Sequence, residues 1–574
     1  MLLSKPVSGG VADALLRQTP RLTIGLLLLP VGAGIFGTLA PALGWMPALG
    51  GSALTLDAFR SLIAWPGFWE ALRLSLVTGI VSTALSLGLT LWLVASWQGT
   101  ALFRTITRLL SPLLSVPHAA AAFGIAFLIA PSGWIARLFS PWATGWTRPP
   151  DLLIVQDPWG LTLILGLVAK ETPFLLLMTL AALQQVDGNR SRILAESMGY
   201  GRVTAWMKTV LPLIYPQIRL PVYAVLAYGM SVVDMAVILG PTRPSPLAVQ
   251  TVTWITDPDL SLRFQASAAA SVLLFAVIAA LIAWWLTEKL AARAGQRWVF
   301  AGARGARRVQ ASRGVALSLA ATSSALVFLG MLGLALWSFT GLWRFPDVLP
   351  ASYRLTTWER EGPVMFGTAT DTVLLAGTSV ALALVFVIGC LEAETRLKIR
   401  VHPASLLILY LPLLVPQIGF LPGLQTLAIS FGVDGGFWVV VAAHLVFVLP
   451  YMFLSLADPW RALNPQYETV AAALGAGPNR SLFAIRLPLL LRPILTASAV
   501  GFAVSVGQYL PTLLIGGGRV ETLTTEAVAL ASGGNRRIIG VYALAQMILP
   551  FVAFALALIV PTLLFRRRRG MAIS

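Results

Sequence analysis

Apolar runs long enough to cross a bilayer, about 20 residues each, recur along the whole chain and alternate with short segments that collect Arg, Lys, Gly and Pro. Twelve spans are predicted near residues 22–43, 73–97, 110–133, 160–184, 218–240, 267–288, 315–339, 372–392, 405–432, 437–457, 491–514 and 541–565. Lys5, Arg17 and Arg21 precede the first run, Leu22 to Leu43, which is too long for a signal-peptide core and is interrupted rather than ended by Pro30 and Gly32. It is expected to stay as an uncleaved span. The fold class that follows is an all-α polytopic membrane protein.

The stretch Thr287 to Arg313 has no long apolar run and divides six spans from six. It predicts a first repeat over residues 1–290, a cytoplasmic linker over 291–314 and a second repeat over 315–574. An even number of spans returns the chain to the side it left, so the repeats should run parallel about an axis along the membrane normal. A pore could then lie between them.

Composition agrees. Hydrophobic residues make up 57% of the chain and charged residues only 11%, which leaves no room for a large soluble domain. The net charge of +18 sits in short clusters between apolar runs, a pattern of membrane topology and not of nucleic-acid binding. With the amino terminus inside, the inner segments hold Arg190, Arg192, Arg202, Lys208, Arg293, Arg297, Arg307, Arg308, Arg400, Arg480, Arg486 and the run Arg566 to Arg569. The outer segments are poorer in Lys and Arg, so both termini are expected in the cytoplasm. Cys390, inside an apolar run, is the only cysteine; it excludes an intramolecular disulfide and reads as packing.

One pair of inner loops carries the strongest functional signal. Ala195-Glu-Ser-Met-Gly199 leads to Leu211-Pro212, and Ala471-Ala-Ala-Leu-Gly475 leads to Leu487-Pro488, with the same spacing from glycine to proline in both. Glu196 and Glu468 add an acidic side chain to each loop, beside Ala471 and Ala472 in the second. Alanines before a glycine make a short helix with a close-approach face, and glycine accepts the positive φ that ends it. The prolines suit a new helix's first turn. An apolar face is expected after each elbow, at Trp206, Val210 and Leu211 and at Leu482, Phe483, Ile485 and Leu487, for insertion into a partner's groove.

These residues resemble the EAA loop of binding-protein-dependent ABC importer permeases, in which Glu-Ala-Ala, three residues, Gly and then Leu-Pro follow one another at this distance. The family's glutamate position holds Ile193 in the first copy and Thr469 in the second, with Glu468 one residue earlier. Ser115-Val-Pro-His118 and Leu414-Val-Pro-Gln417 extend the likeness to the third span of each half. The whole chain is similar to fused, two-in-one permeases of the iron(III), thiamine and related importer groups. That resemblance implies a bacterial inner-membrane location, a separate ATP-binding subunit in two copies that carries the ATP and magnesium, and a periplasmic binding protein that delivers a small solute. It also implies alternating access driven through the two loops.

Candidate pathway residues come from polar groups under lipid. Lys170 and Glu171 fall about ten residues into a span beginning near Gly160, close to the midplane at ~1.5 Å per residue, where a charge costs roughly 2.5 kcal/mol or more. Each should face a partner or a water-filled cavity, so the choice lies between a substrate pathway and an interhelical clamp. Asp234 in Ser231-Val-Val-Asp234 matches Gln508 in Ser505-Val-Gly-Gln508, and either a helix-interface role or substrate contact fits. His118 and Gln417 follow prolines, where a break frees backbone carbonyls; they either hold the break or border the pathway. His444 is expected to pack and not to ligate metal.

No Gly-Lys-Ser or Gly-Lys-Thr phosphate loop, nucleophile elbow or zinc signature occurs, so the chain is expected to hold no cofactor or metal and to be no enzyme. Nor does it offer a nucleic-acid module. The alternative is a twelve-span secondary transporter, which parallel repeats also fit.

Overall fold

The computed structural model describes residues 11–305, 312–399, 403–433 and 435–565, and among these every named element is helical. The cytoplasmic placements of Lys5, Arg307, Arg308, Arg400 and Arg566 to Arg569 lie outside the described residues. In the first half the main helices are α1 (Val11–Ala42), α2 (Phe68–Trp97), α3 (His118–Ile129), α4 (Leu161–Gln184), α5 (Gly188–Ser197), α6 (Arg202–Thr209), α7 (Leu211–Ser231), α8 (Leu247–Ile255) and α9 (Leu262–Phe300). In the second they are α10 (Arg313–Ser338), α11 (Thr356–Arg396), α12 (Leu421–Ser430), α13 (Phe437–Arg461), α14 (Gln466–Ala473), α15 (Leu491–Val506), α16 (Leu523–Ala529) and α17 (Arg536–Leu564).

Nine helices among the described residues are long and apolar enough to span a membrane, and the number rises to twelve when three bent pairs are each counted as one span. The bends correct the uniform spans read from hydropathy. Arg202–Thr209 meets Leu211–Ser231 at 67°, Leu407–Leu414 meets Gln417–Ser430 at 86°, and Pro478–Leu489 meets Leu491–Val506 at 74°. Each break falls within two residues of a proline, which removes one ladder hydrogen bond and crowds the carbonyl four residues back. The third span likewise starts at His118, after Pro117, and not near residue 110. The segment expected as linker from residue 291 is helical as far as Phe300, a continuation of α9.

The two halves repeat one packing plan. α2, α4 and α7 pack on one another as α11, α13 and α15 do. A hydroxyl on the second span caps a later helix in both: Leu247 N donates to Ser75 Oγ at 3.0 Å and Leu523 N to Thr372 Oγ1 at 3.0 Å. The first helix of each half crosses to the other, α1 lying against α11 and α12, and α10 against α2 and α3. Glycines set these crossings, because without a hydrophobic drive between helices in lipid, close backbone packing must hold them. A Cβ on Gly37 would sit 2.8 Å from the Gly423 carbonyl carbon, and one on Gly124 equally close to that of Gly330. Thr38 Oγ1 accepts from Gly423 N at 3.1 Å in the first crossing.

Gly423→Leu is therefore expected to force α1 from α12, with a loss of about 1–3 kcal/mol and a lower Tm in detergent. Gly32→Ala, at a position where an added Cβ meets nothing within 4 Å, is the control and should hold or raise Tm.

Candidate functional site

The elbows close in the same way at the backbone. After α5, Gly199 N donates to Glu196 O at 3.0 Å and Tyr200 N to Ala195 O at 3.2 Å; after α14, Gly475 N donates to Ala472 O at 3.0 Å and Ala476 N to Ala471 O at 2.9 Å. This crossed pair of bonds is the Schellman closure, which needs a left-handed residue at its centre. Gly199 has φ +87° and Gly475 φ +79°. Ala195 and Ala471 are buried at matching positions of the two short helices. Pro212 and Pro488 stand in the first turns that follow, beside Leu211 and Leu487.

The apolar face expected after the first elbow is turned inward: Trp206 and Val210 are fully buried in the largest core cluster among the described residues, which both halves supply. Trp206 has a polar edge to satisfy, and its Nε1 donates to Gln98 Oε1 at 2.7 Å. The exposed apolar residues stand instead on the elbow helices, at Leu194 and Met198 in one copy and at Val470 and Leu474 in the other. The sequence held that signal, since each pair occupies the same two offsets before its glycine. Phe483 adds a further exposed ring to the second elbow.

Charged side chains anchor the elbows, by different means in each. Buried Arg192 donates to Glu196 Oε1 at 2.6 Å and to Asn189 Oδ1 at 2.9 Å, within α5. In the second half Arg486 pairs with both Glu468 of the elbow and Glu392 near the C-terminal end of α11, and its guanidinium lies 5.3 Å from the Trp460 ring centre. Arg192, Asn189, Glu392 and Arg486 were not singled out as site residues from the sequence, because their partners lie on other turns or other helices.

Under the lipid, Lys170 and Glu171 point to different partners, as neighbours on a helix must. Pro117 has no N–H to give to Leu113 O, which keeps a long backbone bond from Val116 N at 3.4 Å, and Lys170 Nζ donates to the same oxygen at 2.8 Å. The second contact, to Leu114 O, is 3.5 Å. Lys170 is thus an interhelical clamp for the broken third span. Glu171 Oε1 lies 3.3 Å from His118 Nε2, and the His118 ring centre is 4.9 Å from that of Tyr228. Tyr228 Oη in turn donates to Asp234 Oδ1 at 3.4 Å. The structure therefore brings together His118, Glu171 and Asp234, with Tyr228 as a link the sequence did not flag.

Asp234 and Gln508 occupy equivalent breaks, just beyond the ends of α7 and α15. Gln417 starts a short turn after Pro416, as His118 starts α3 after Pro117. Neither glutamine side chain joins the hydrogen-bonded chain around Glu171 among the described contacts. The second half presents tyrosines: Tyr451 lies within electrostatic reach of Glu171, and Tyr509 of Asp234. At the positions that match Lys170 and Glu171 relative to the span's proline stand buried Phe447 and Val448. His444 is held by Ser505 Oγ at 2.8 Å and Thr512 Oγ1 at 2.9 Å, a packed and satisfied ring. Cys390 Sγ lies 3.1 Å from Thr23 Oγ1 between α11 and α1.

Comparison with known proteins agrees with this architecture. Residues 385–569, which include the second elbow, match the family described as binding-protein-dependent transport system inner membrane component. Over 552 residues the chain is 32% identical to the inner membrane ABC transporter permease protein YnjC of Escherichia coli (strain K12), with 96% of this chain and 99% of that protein covered. Shorter stretches are similar to single permeases. The spermidine/putrescine transport system permease protein PotC homolog of Mycoplasma genitalium is 26% identical over 188 residues, covering 33% of this chain and 66% of that protein. The molybdenum transport system permease protein ModB of Mycobacterium tuberculosis is 34% identical over 159 residues, covering 26% and 59%. Similarity along nearly the full length of two proteins, joined to a duplicated helical plan, identifies the chain as a member of the inner-membrane ABC transporter permeases, with two permease repeats fused in one polypeptide.

Proposed function

We propose that this permease forms the translocation pathway of a binding-protein-dependent importer and takes its energy from two copies of a separate ATP-binding subunit docked at its two elbows. The observation that carries the reading is the matched pair of short helices, each ended by the same left-handed glycine closure and each presenting exposed apolar residues that include a pair at the same two offsets. Exposed apolar residues on a basic, cytoplasmic loop favour burial against a protein partner. ATP and magnesium belong to that partner, and the chain itself supplies no phosphate loop. A secondary transporter would have no use for two such elbows.

Both termini lie in the cytoplasm in this reading, and an external binding protein delivers a small solute to the opposite face. Nucleotide closure draws the elbows together and rocks the halves about the midplane. The pathway runs between Glu171, His118 and Asp234 of the first half and Tyr451, Tyr509, Gln417 and Gln508 of the second. Helix breaks at four of these positions support that course, since irregular backbone at membrane depth is tolerated where it lines a cavity or is buried in protein. Lys170 holds the first half's break and does not border the pathway.

Gly199→Val combined with Gly475→Val places a β-branched side chain where φ is positive, at a cost of about 1–2 kcal/mol per site. The expected result is loss of ATP-binding subunit from the purified complex or hydrolysis without uptake; normal association together with normal uptake would count against the docking assignment. The two midplane charges should separate by readout. Lys170→Met leaves Leu113 O with only its long bond from Val116 N and is expected to cost about 1–3 kcal/mol of stability, seen as a lower Tm. Glu171→Gln should keep Tm and lower uptake in proteoliposomes roughly tenfold, about 1.4 kcal/mol of barrier; unaltered uptake would remove Glu171 from the pathway.

A further inference from the structure

The segment between the halves does not hang free below the membrane. It leaves α9 at Phe300 and passes directly over the first elbow: Gly201 N, at the start of α6, donates to Arg304 O at 2.9 Å. Lys208 Nζ donates to Trp298 O at 2.9 Å and Ala303 O at 2.8 Å, and it stands 4.6 Å from the Trp298 ring centre and 5.0 Å from that of Tyr200. Arg304 also reaches the elbow's glycine, where an added Cβ on Gly199 would lie 3.5 Å from Arg304 Nη1. Gly305 fits, at φ +93°, against Thr204 with no room for a side chain.

The far end of the connector is pinned at the same place. Arg313, the first residue of α10, donates through Nε to Ser96 O at 3.1 Å, its carbonyl accepts from Trp97 Nε1 at 3.0 Å, and its guanidinium lies 4.7 Å from the Trp97 ring centre. Ser96 O also accepts from Arg202 Nε of the elbow at 3.0 Å. Thus the end of α2, the first elbow and both described ends of the connector form one cross-linked unit. Among the described residues the second elbow has no such cover: a Cβ on Gly475 would meet nothing within 4 Å, and its anchor is the Arg486 pair with Glu468 and Glu392.

From this difference we infer that the connector Trp298 to Gly305 is a fixed part of the first dock, so that two identical ATP-binding subunits meet unlike surfaces, a composite of elbow and connector on one side and a bare elbow on the other. The inference rests on the docking function proposed above. Phe300 is 88% exposed and is carried between Trp298 and Ala303, the two residues whose carbonyls Lys208 holds. It therefore puts an unburied aromatic ring on the stretch of connector tied to the first elbow, where it extends the proposed docking face. A multidonor cation such as Lys208, with two carbonyls and two rings around it, is the residue that keeps the ring there.

A photo-crosslinking p-benzoylphenylalanine placed singly at Phe300 or at Leu474, in the full chain co-expressed with its ATP-binding subunit, tests this. Both probes are expected to capture that subunit. Lys208→Met should reduce capture from Phe300 severalfold and leave capture from Leu474 at its original level, which also reports that the variant folds and assembles. Capture from Leu474 with none from Phe300 would overturn the composite dock and leave the docking function standing. Silence at both positions would remove both, and undiminished capture from Phe300 in the Lys208 variant would show that the clasp does not present the connector.

Discussion

A backbone carbonyl released from its helix inside a bilayer finds no water, and the protein must answer it from within. The fold is organised around that constraint. Pro117 opens the third span and Lys170 closes the account by donating to Leu113 O. A lysine at this depth, which insertion costs alone would exclude, stays because a specific acceptor waits for it. The same logic holds His444 between two hydroxyls and ties Tyr228 to Asp234. Where the chain leaves the lipid, water and charge take over, and the breaks there become elbows closed by glycine.

Symmetry of frame coexists with difference of content. The helices of the two halves pack alike, and the first helix of each half crosses to the other at glycine contacts. At the centre, however, the first half supplies His118, Glu171 and Asp234, whereas the second supplies Tyr451 and Tyr509 with Phe447 and Val448 in the charged positions. A duplicated scaffold can therefore present two chemically distinct walls to the pathway proposed between them. The elbows differ in the same spirit, one braced by the connector and one by Arg486.

Much of this was legible in the sequence because spans, basic loops and the repeated glycine and proline positions are local signals. The positive φ at Gly199 and Gly475 followed from residue type and spacing alone, and so did the breaks before His118 and Gln417. What stayed hidden depends on contacts across long separations. Hydropathy could not reveal how sharply the chain turns at the Pro416 break, or that it bends beyond the elbows, since a bent pair and a straight span have the same composition. Trp206 and Val210 read as an exposed apolar face, yet the turn of α6 buries them, and Leu194 and Met198 take the outer position. Nor could spacing show that the connector folds back on an elbow, because its carbonyls, not its side chains, make most of the bonds.

The central claim is mechanical: nucleotide on a partner changes the separation of the two elbows. Spin labels at Arg190→Cys and Gln466→Cys, exposed at matching offsets before the two elbow glycines and apart from the docking residues, in a chain carrying Cys390→Ser and assembled with its ATP-binding subunit in nanodiscs, would report that separation by double electron–electron resonance. The account expects the distance distribution to shorten when ATP and vanadate are added. A distribution that stays the same with and without nucleotide, in a complex that still imports its solute, would contradict it.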